Sequence, residues 1–138
     1  KMNFNCYDNK LTSLKGAPQE VKGYFYCSHN ELTSLEGAPQ SVGGSFSCSY
    51  NELTSLEGAP KKVGGDFTCD NNPVSGSVLT TLYKKMQSGM SWPDAVVSYW
   101  RYIKSEEDKI QLAKYNNSLS SGEKAYYRAL DIKNRRSI

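Results

Sequence analysis

Cys6, Cys27, Cys48 and Cys69 recur at a fixed step of 21 residues, and the residues around them keep that step. Phe4, Phe25, Phe46 and Phe67 stay in register, as do Asn9, Asn30, Asn51 and Asn72, and Val74 continues the series Leu11, Leu32, Leu53. Leu14/Leu35/Leu56, Pro18/Pro39/Pro60 and Val21/Val42/Val63 complete the unit. Such a period marks a solenoid, in which each unit buries its apolar side only against its neighbours. It predicts stacked coils over residues 1–74 and a separate region over 75–138, where the period is lost.

Within a unit, Phe-x-Cys has the period of two of a short strand with Phe and Cys facing inward. Asn follows at the corner, where an inward amide can bond the backbone of the bend and stacked copies form a ladder. Leaving those buried groups unpaired costs about 1–3 kcal/mol each, which explains Asn rather than Ser or Leu. Leu-Thr-Ser-Leu adds two core contacts, each worth roughly 1.5–3 kcal/mol when fully buried. Gly-Ala-Pro turns the back of the coil, because Pro has no amide to give to a helix or ladder. The pairs Gly43-Gly44 and Gly64-Gly65 are expected to return the chain to the sheet at a backbone angle other residues resist.

Four cysteines also raise the question of a metal or a disulfide. Structural zinc sites bring cysteines as close pairs, whereas these never come nearer than one full unit. Stacked strands lie about 4.8 Å apart, so distance alone leaves a disulfide between neighbours open. The regular spacing favours a ladder of buried thiols, which suits a reducing compartment, and a cytoplasmic location is expected. No metal or cofactor is expected. With 138 residues, 22% charged and 38% hydrophobic, the chain can build one domain or a short solenoid with a helical end. No apolar run approaches the roughly 18 residues of a membrane span, and no leader pattern is visible. Met2 leads us to expect an initiator Met just ahead of Lys1 and a nearly complete chain.

Asn-Glu-Leu-Thr-Ser-Leu with Pro60 shortly after resembles the short leucine-rich repeat of bacterial effector proteins. Leu-Glu-Gly-Ala-Pro with Val-Gly-Gly-x-Phe-x-Cys is similar to leucine-rich repeat proteins of tailed bacteriophages and their hosts. The resemblance covers about residues 3–74, with Phe and Cys in place of two strand leucines and Gly-Ala in place of Pro-x. It implies an α+β chain: a short leucine-rich repeat solenoid, its parallel sheet on a concave face and irregular coil on the convex side. It further implies a non-enzymatic protein-binding module, a phage product that captures a host factor or defence component in the host cytoplasm. Some leucine-rich effectors carry a ubiquitin-ligase domain with a catalytic cysteine; no cysteine follows Cys69, which excludes that chemistry.

On such a sheet the outward columns are Asn3/Tyr24/Ser45/Asp66, Asn5/Tyr26/Ser47/Thr68, Tyr7/Ser28/Ser49/Asp70 and Asp8/His29/Tyr50/Asn71. They vary where the frame does not. Tyr7, Tyr24, Tyr26, His29 and Tyr50 are the expected partner contacts, with Asp66 and Asp70 setting polarity. Tyrosines also suit a sheet surface and stack on one another without any partner.

Past Asn72-Pro73 the pattern changes to helices. Ser77 is expected to cap a helix over 78–88 with Val78, Leu79, Leu82 and Met86 on one side and Gly89 as its stop. Ser91 caps a second, with Pro93 in its first turn and a Trp92, Val96, Trp100, Ile103 stripe. Ser105-Glu-Glu-Asp108 opens a third, running to about Tyr115, where the acids favour the helix dipole, and a fourth is expected over 123–133. A solenoid needs its open end covered, so these three to four helices read as a C-terminal helical cap.

Charge gives a competing reading. Residues 1–72 hold six Lys/Arg and eight Asp/Glu; residues 73–138 hold eleven and six. Lys84, Lys85, Arg101, Lys104, Arg128, Arg135 and Arg136 are the candidates for a nucleic acid or anionic surface, though the charge density is too low to favour that over a solvated helical face and a frayed end. Self-association through the first coil, at Phe4, is a third possibility. For catalysis, His29 is the sole histidine, and a Ser-His-Asp set would need it with Asp8 or Asp70 on a flat surface without an oxyanion loop. No phosphate-binding, dinucleotide or metal-binding motif occurs, and no catalytic residue is assigned.

Overall fold

The computed structural model describes residues 3–115. Short strands form at two places in each unit: β1 (Phe4–Asn5), β2 (Glu20–Val21), β3 (Phe25–Tyr26), β4 (Ser41–Val42), β5 (Phe46–Ser47), β6 (Lys62–Val63) and β7 (Phe67–Thr68). Helices α1 (Gly76–Gln87), α2 (Trp92–Tyr99) and α3 (Glu106–Tyr115) follow, with a 3-10 turn over Trp100–Tyr102, so the chain is α+β. The expected fourth helix, its preceding loop, and Arg128, Arg135 and Arg136 lie outside the described residues.

The odd-numbered strands make one parallel sheet in the order β1-β3-β5-β7, paired like with like: Phe4 with Phe25, Phe25 with Phe46, Phe46 with Phe67. The ladder outlasts the strands themselves, since Cys6 N–H donates to Tyr26 O at 2.9 Å and Asp8 N–H to Ser28 O at 3.1 Å. Because every Phe faces inward at the same register, the rings stack face to face. Their centroids lie 5.0, 5.3 and 5.5 Å apart, with interplanar angles of 7° or less. Tyr83 of α1 ends the column, its ring 3.9 Å from that of Phe67 and its hydroxyl donating to Pro60 O at 2.5 Å.

The asparagines tie each unit to the one before it. Asn51 Oδ1 accepts Leu32 N–H at 3.1 Å, and its Nδ2 donates to the carbonyls of Cys27 (3.0 Å), Cys48 (3.1 Å) and Ser49 (3.2 Å). Asn30 and Asn72 repeat the arrangement with Leu11 and Leu53 as their respective donors. Asn30 and Asn51 are buried. This satisfies polar backbone that a bend would otherwise leave without water or partner.

The back of the molecule departs from the expectation of irregular coil. β2, β4 and β6 form a second parallel sheet, with Val21 beside Val42 and Val42 beside Val63. The glycine pairs explain it, for a reason other than backbone angle. Neither Gly43 nor Gly64 has positive φ; a side chain at Gly43 would collide with the Lys22 carbonyl, and one at Gly64 with that of Gly43. Glycine here permits close approach, which lets Gly43 N–H reach Val21 O at 2.8 Å and Gly64 N–H reach Val42 O at 2.9 Å. The left-handed glycines are those of Gly-Ala-Pro, with φ of 92°, 89° and 86° at Gly16, Gly37 and Gly58.

Helix α1 begins earlier than expected, with Ser75 rather than Ser77 at its N-cap. The Ser75 hydroxyl does not cap; it donates to Asp108 Oδ2 at 2.7 Å while Ser75 N–H donates to Oδ1 at 2.8 Å. Asp108 is buried and carries more than a dipole contact, for it joins the start of α3 to the start of α1. Ser91 and Ser105 do cap their helices, accepting from Asp94 N–H (3.3 Å) and Asp108 N–H (3.2 Å). Val78, Leu79, Leu82, Trp92, Val96 and Ile103 are buried in one core with Phe46, Cys69 and Val74. Among the described residues no helix is long and apolar enough to cross a membrane.

Candidate functional site

Outward residues of the four-stranded sheet line a shallow groove of about 440 Å3. Of the expected contacts, Tyr7, Tyr26, His29, Tyr50 and Asp66 border it. Tyr24 does not, but its ring stacks on that of Tyr26 at 4.1 Å. Asp70 stands apart from the groove, its carboxylate against Gly76 at the start of α1.

The floor is hydroxyl-rich. Ser28 Oγ and Ser47 Oγ lie 2.6 Å apart, and Ser45 Oγ accepts Asp66 N–H at 3.1 Å. Above it, one column of aromatic rings runs across the strands. His29 lies between Tyr7 (4.9 Å, tilted 58°) and Tyr50 (4.3 Å, 10°). Tyr7 and Tyr50 remain 53% and 51% exposed, so about half of each residue is accessible to a ligand.

The backbone beneath this column corrects one expectation. Asp8, His29, Tyr50 and Asn71 are not extended strand residues; all four sit in the left-handed region, with φ between 56° and 59°. Asp and Asn tolerate that geometry by local hydrogen bonding, whereas a bulky side chain bears about 1–2 kcal/mol of steric cost. Tyr50 is therefore the least expected occupant, and such strain concentrates where function demands a side chain. The signal was present in the sequence, since Asp8 and Asn71 in the same column are residue types that favour this turn.

Charge on this face is one-sided. Its four outward columns contain Asp8, Asp66 and Asp70 and no Lys or Arg. Among the described residues the Asp66 carboxylate has neither hydrogen bond nor ion pair. His29 makes no hydrogen bond to a carboxylate among those residues, so the geometry of a Ser-His-Asp relay is not assembled. Of the basic candidates, Lys84 and Lys85 lie in the last turn of α1, where they suit the helix dipole, and Lys84 borders a separate hollow with Asp66 and Thr68. Lys85 Nζ also lies 5.8 Å from the Tyr99 ring, and the Arg101 guanidinium 6.0 Å from that of Tyr102.

The thiols are buried and free, and those of Cys6, Cys27 and Cys48 point to the carbonyls of Tyr26, Ser47 and Thr68 at 3.4, 3.1 and 3.4 Å. Burial pushes the Cys27 and Cys48 thiols well above the ordinary range, with the neighbouring thiols adding to the effect, which leaves them poor nucleophiles. Among the described residues no group of three or more His, Cys, Asp or Glu could hold a metal ion. A second groove of about 800 Å3 lies between the Thr33–Glu36 and Glu52–Glu57 segments and Gln111 of α3, and it has no aromatic wall. No family model, curated protein or solved structure matches the chain.

Proposed function

We propose that the chain is a short leucine-rich repeat solenoid with a helical cap, and that its aromatic sheet face binds another protein without catalysing a reaction. The cap reading is supported by Tyr83, which covers the last phenylalanine of the column from the first helix. The observation that carries the binding reading is Tyr50, a large half-exposed ring held on left-handed backbone in a groove. Packing within the fold does not require that ring, because Asp and Asn fill the same column elsewhere at lower cost. Half-exposed tyrosines beside small hydroxyl residues supply rigid contact area with adaptable polar partners. A phage product acting on a host factor or defence component in the cytoplasm is the biological setting that fits the resemblance.

The test is comparative capture. The wild-type chain and the Tyr26→Ala/Tyr50→Ala double variant are immobilised and offered the same bacterial lysate. A partner retained by the first and lost by the second, with melting temperatures unchanged or higher in the variant, supports the reading. Equal retention removes it.

A further inference from the structure

We propose that the groove is selective for a cationic segment, an extended stretch of partner chain that carries arginine. This rests on the protein-binding reading above and names the chemistry of the partner. Three features converge on it. The lining of the groove carries one carboxylate, Asp66, and no Lys or Arg, so positive charge is favoured there over negative. Asp66 lines the groove with its carboxylate unpaired among the described residues, which leaves it free to receive a guanidinium. Tyr7 and Tyr50, both about half exposed, line the same groove.

Arginine satisfies both ends. Its guanidinium is planar, weakly hydrated and able to stack on a tyrosine face while donating to carboxylate and hydroxyl oxygens. Asp66 and Tyr26 stand two strands apart, roughly 10 Å, a span covered by about three extended residues. The hydroxyls on the intervening strand are those of Ser45 and Ser47. A phosphate-bearing ligand meets the opposite situation, since Asp66 repels it and no Lys or Arg lines the groove to receive it.

The experiment is a fluorescence-anisotropy titration of the full chain with three labelled peptides of one length. One alternates glycine with arginine, one replaces arginine by citrulline, and one replaces it by glutamate. The arginine peptide is expected to bind about tenfold or more tightly than the other two, a preference that shrinks as salt rises. Asp66→Asn and Tyr50→Leu are each expected to weaken it about three- to tenfold, as loss of a charge partner or a ring face does. Asp94→Asn, on α2, serves as the off-face control and leaves it unchanged. Equal binding of the citrulline peptide, preference for glutamate, indifference to Asp66→Asn, or no binding of the arginine peptide overturns the proposal. If the aromatic variants still abolish lysate capture in those cases, protein binding stands and only the charge preference falls.

Discussion

Replacing Asn51 by alanine removes one acceptor and one amide group from the middle of the stack, and the neighbours determine the cost. Three of its four partners keep another bond. Cys27 O still accepts from Asn30 at 3.1 Å, Cys48 O from Asn72 at 3.2 Å, and Ser49 O from His29 N–H at 3.1 Å. Leu32 N–H is different, because Asn51 Oδ1 is its acceptor and no other is present among the described residues. One orphaned buried donor costs about 1–3 kcal/mol, and the weakened carbonyl bonds and the small void add to it, giving about 2–4 kcal/mol in all. Urea unfolding followed by tryptophan fluorescence should show the midpoint fall by roughly 1–2 M with the slope unchanged. Asn51→Asp separates hydrogen bonding from volume. It keeps the acceptor for Leu32 but turns a carboxylate oxygen on three carbonyls, so at neutral pH it should destabilise more than alanine. Asn9→Ala is the control, because the Asn9 side chain is exposed and bridges no unit among the described residues; it should cost under about 0.5 kcal/mol. An Asn51→Ala variant as stable as the Asn9→Ala variant would refute the reasoning.

Tyr83→Phe keeps the ring on Phe67 and loses only the bond to Pro60 O, about 1 kcal/mol by thermal melting, whereas Tyr83→Ala opens the end of the column and costs about 3–5 kcal/mol. Burial pushes the Tyr83 hydroxyl up to about 12 from the ordinary 10.0, so its contribution is complete below pH 10 and is lost as pH rises through about 12. The raised thiols act in the same direction from about pH 9 upward, and a denaturation series across that range should show stability falling throughout. Asp108→Ala leaves Ser75 N–H and its hydroxyl without their acceptor and should lower stability by about 1.5–3 kcal/mol, with Asp108→Asn milder because one acceptor oxygen survives. In thiol labelling of the native chain, Cys6 at 9% exposure should react before Cys27 and Cys48 at 0%, and simultaneous reaction of all four would argue against the buried arrangement.

The inward side of the stack was legible because periodic residues become paired residues: Phe, Cys and Asn each meet their own kind, and the spacing alone says so. The second sheet was not, because the role of Gly43 depends on how near Lys22 comes, a distance that no local pattern contains. Asp108 read as a helix-start acid because its partner, Ser75, lies 33 residues earlier. Tyr83 escaped notice for a related reason. It sits in a helix, outside the period, yet supplies the ring that follows Phe67 in the series. In the candidate site the aromatic residues were visible as columns, and the left-handed turn beneath them was hidden by reading position 50 as strand.

The column of rings has unlike ends. Tyr83 seals one with a helix, while Phe4, only partly buried, leaves the other bordered by an apolar hollow with Leu11 and Leu14. Head-to-tail addition of copies, the route by which open-ended stacks of strands grow into fibres, is therefore blocked at the sealed end. Among the described residues the stack of rings cannot be lengthened past Phe67 by another strand, because the place that the next ring would take is already filled by a helix.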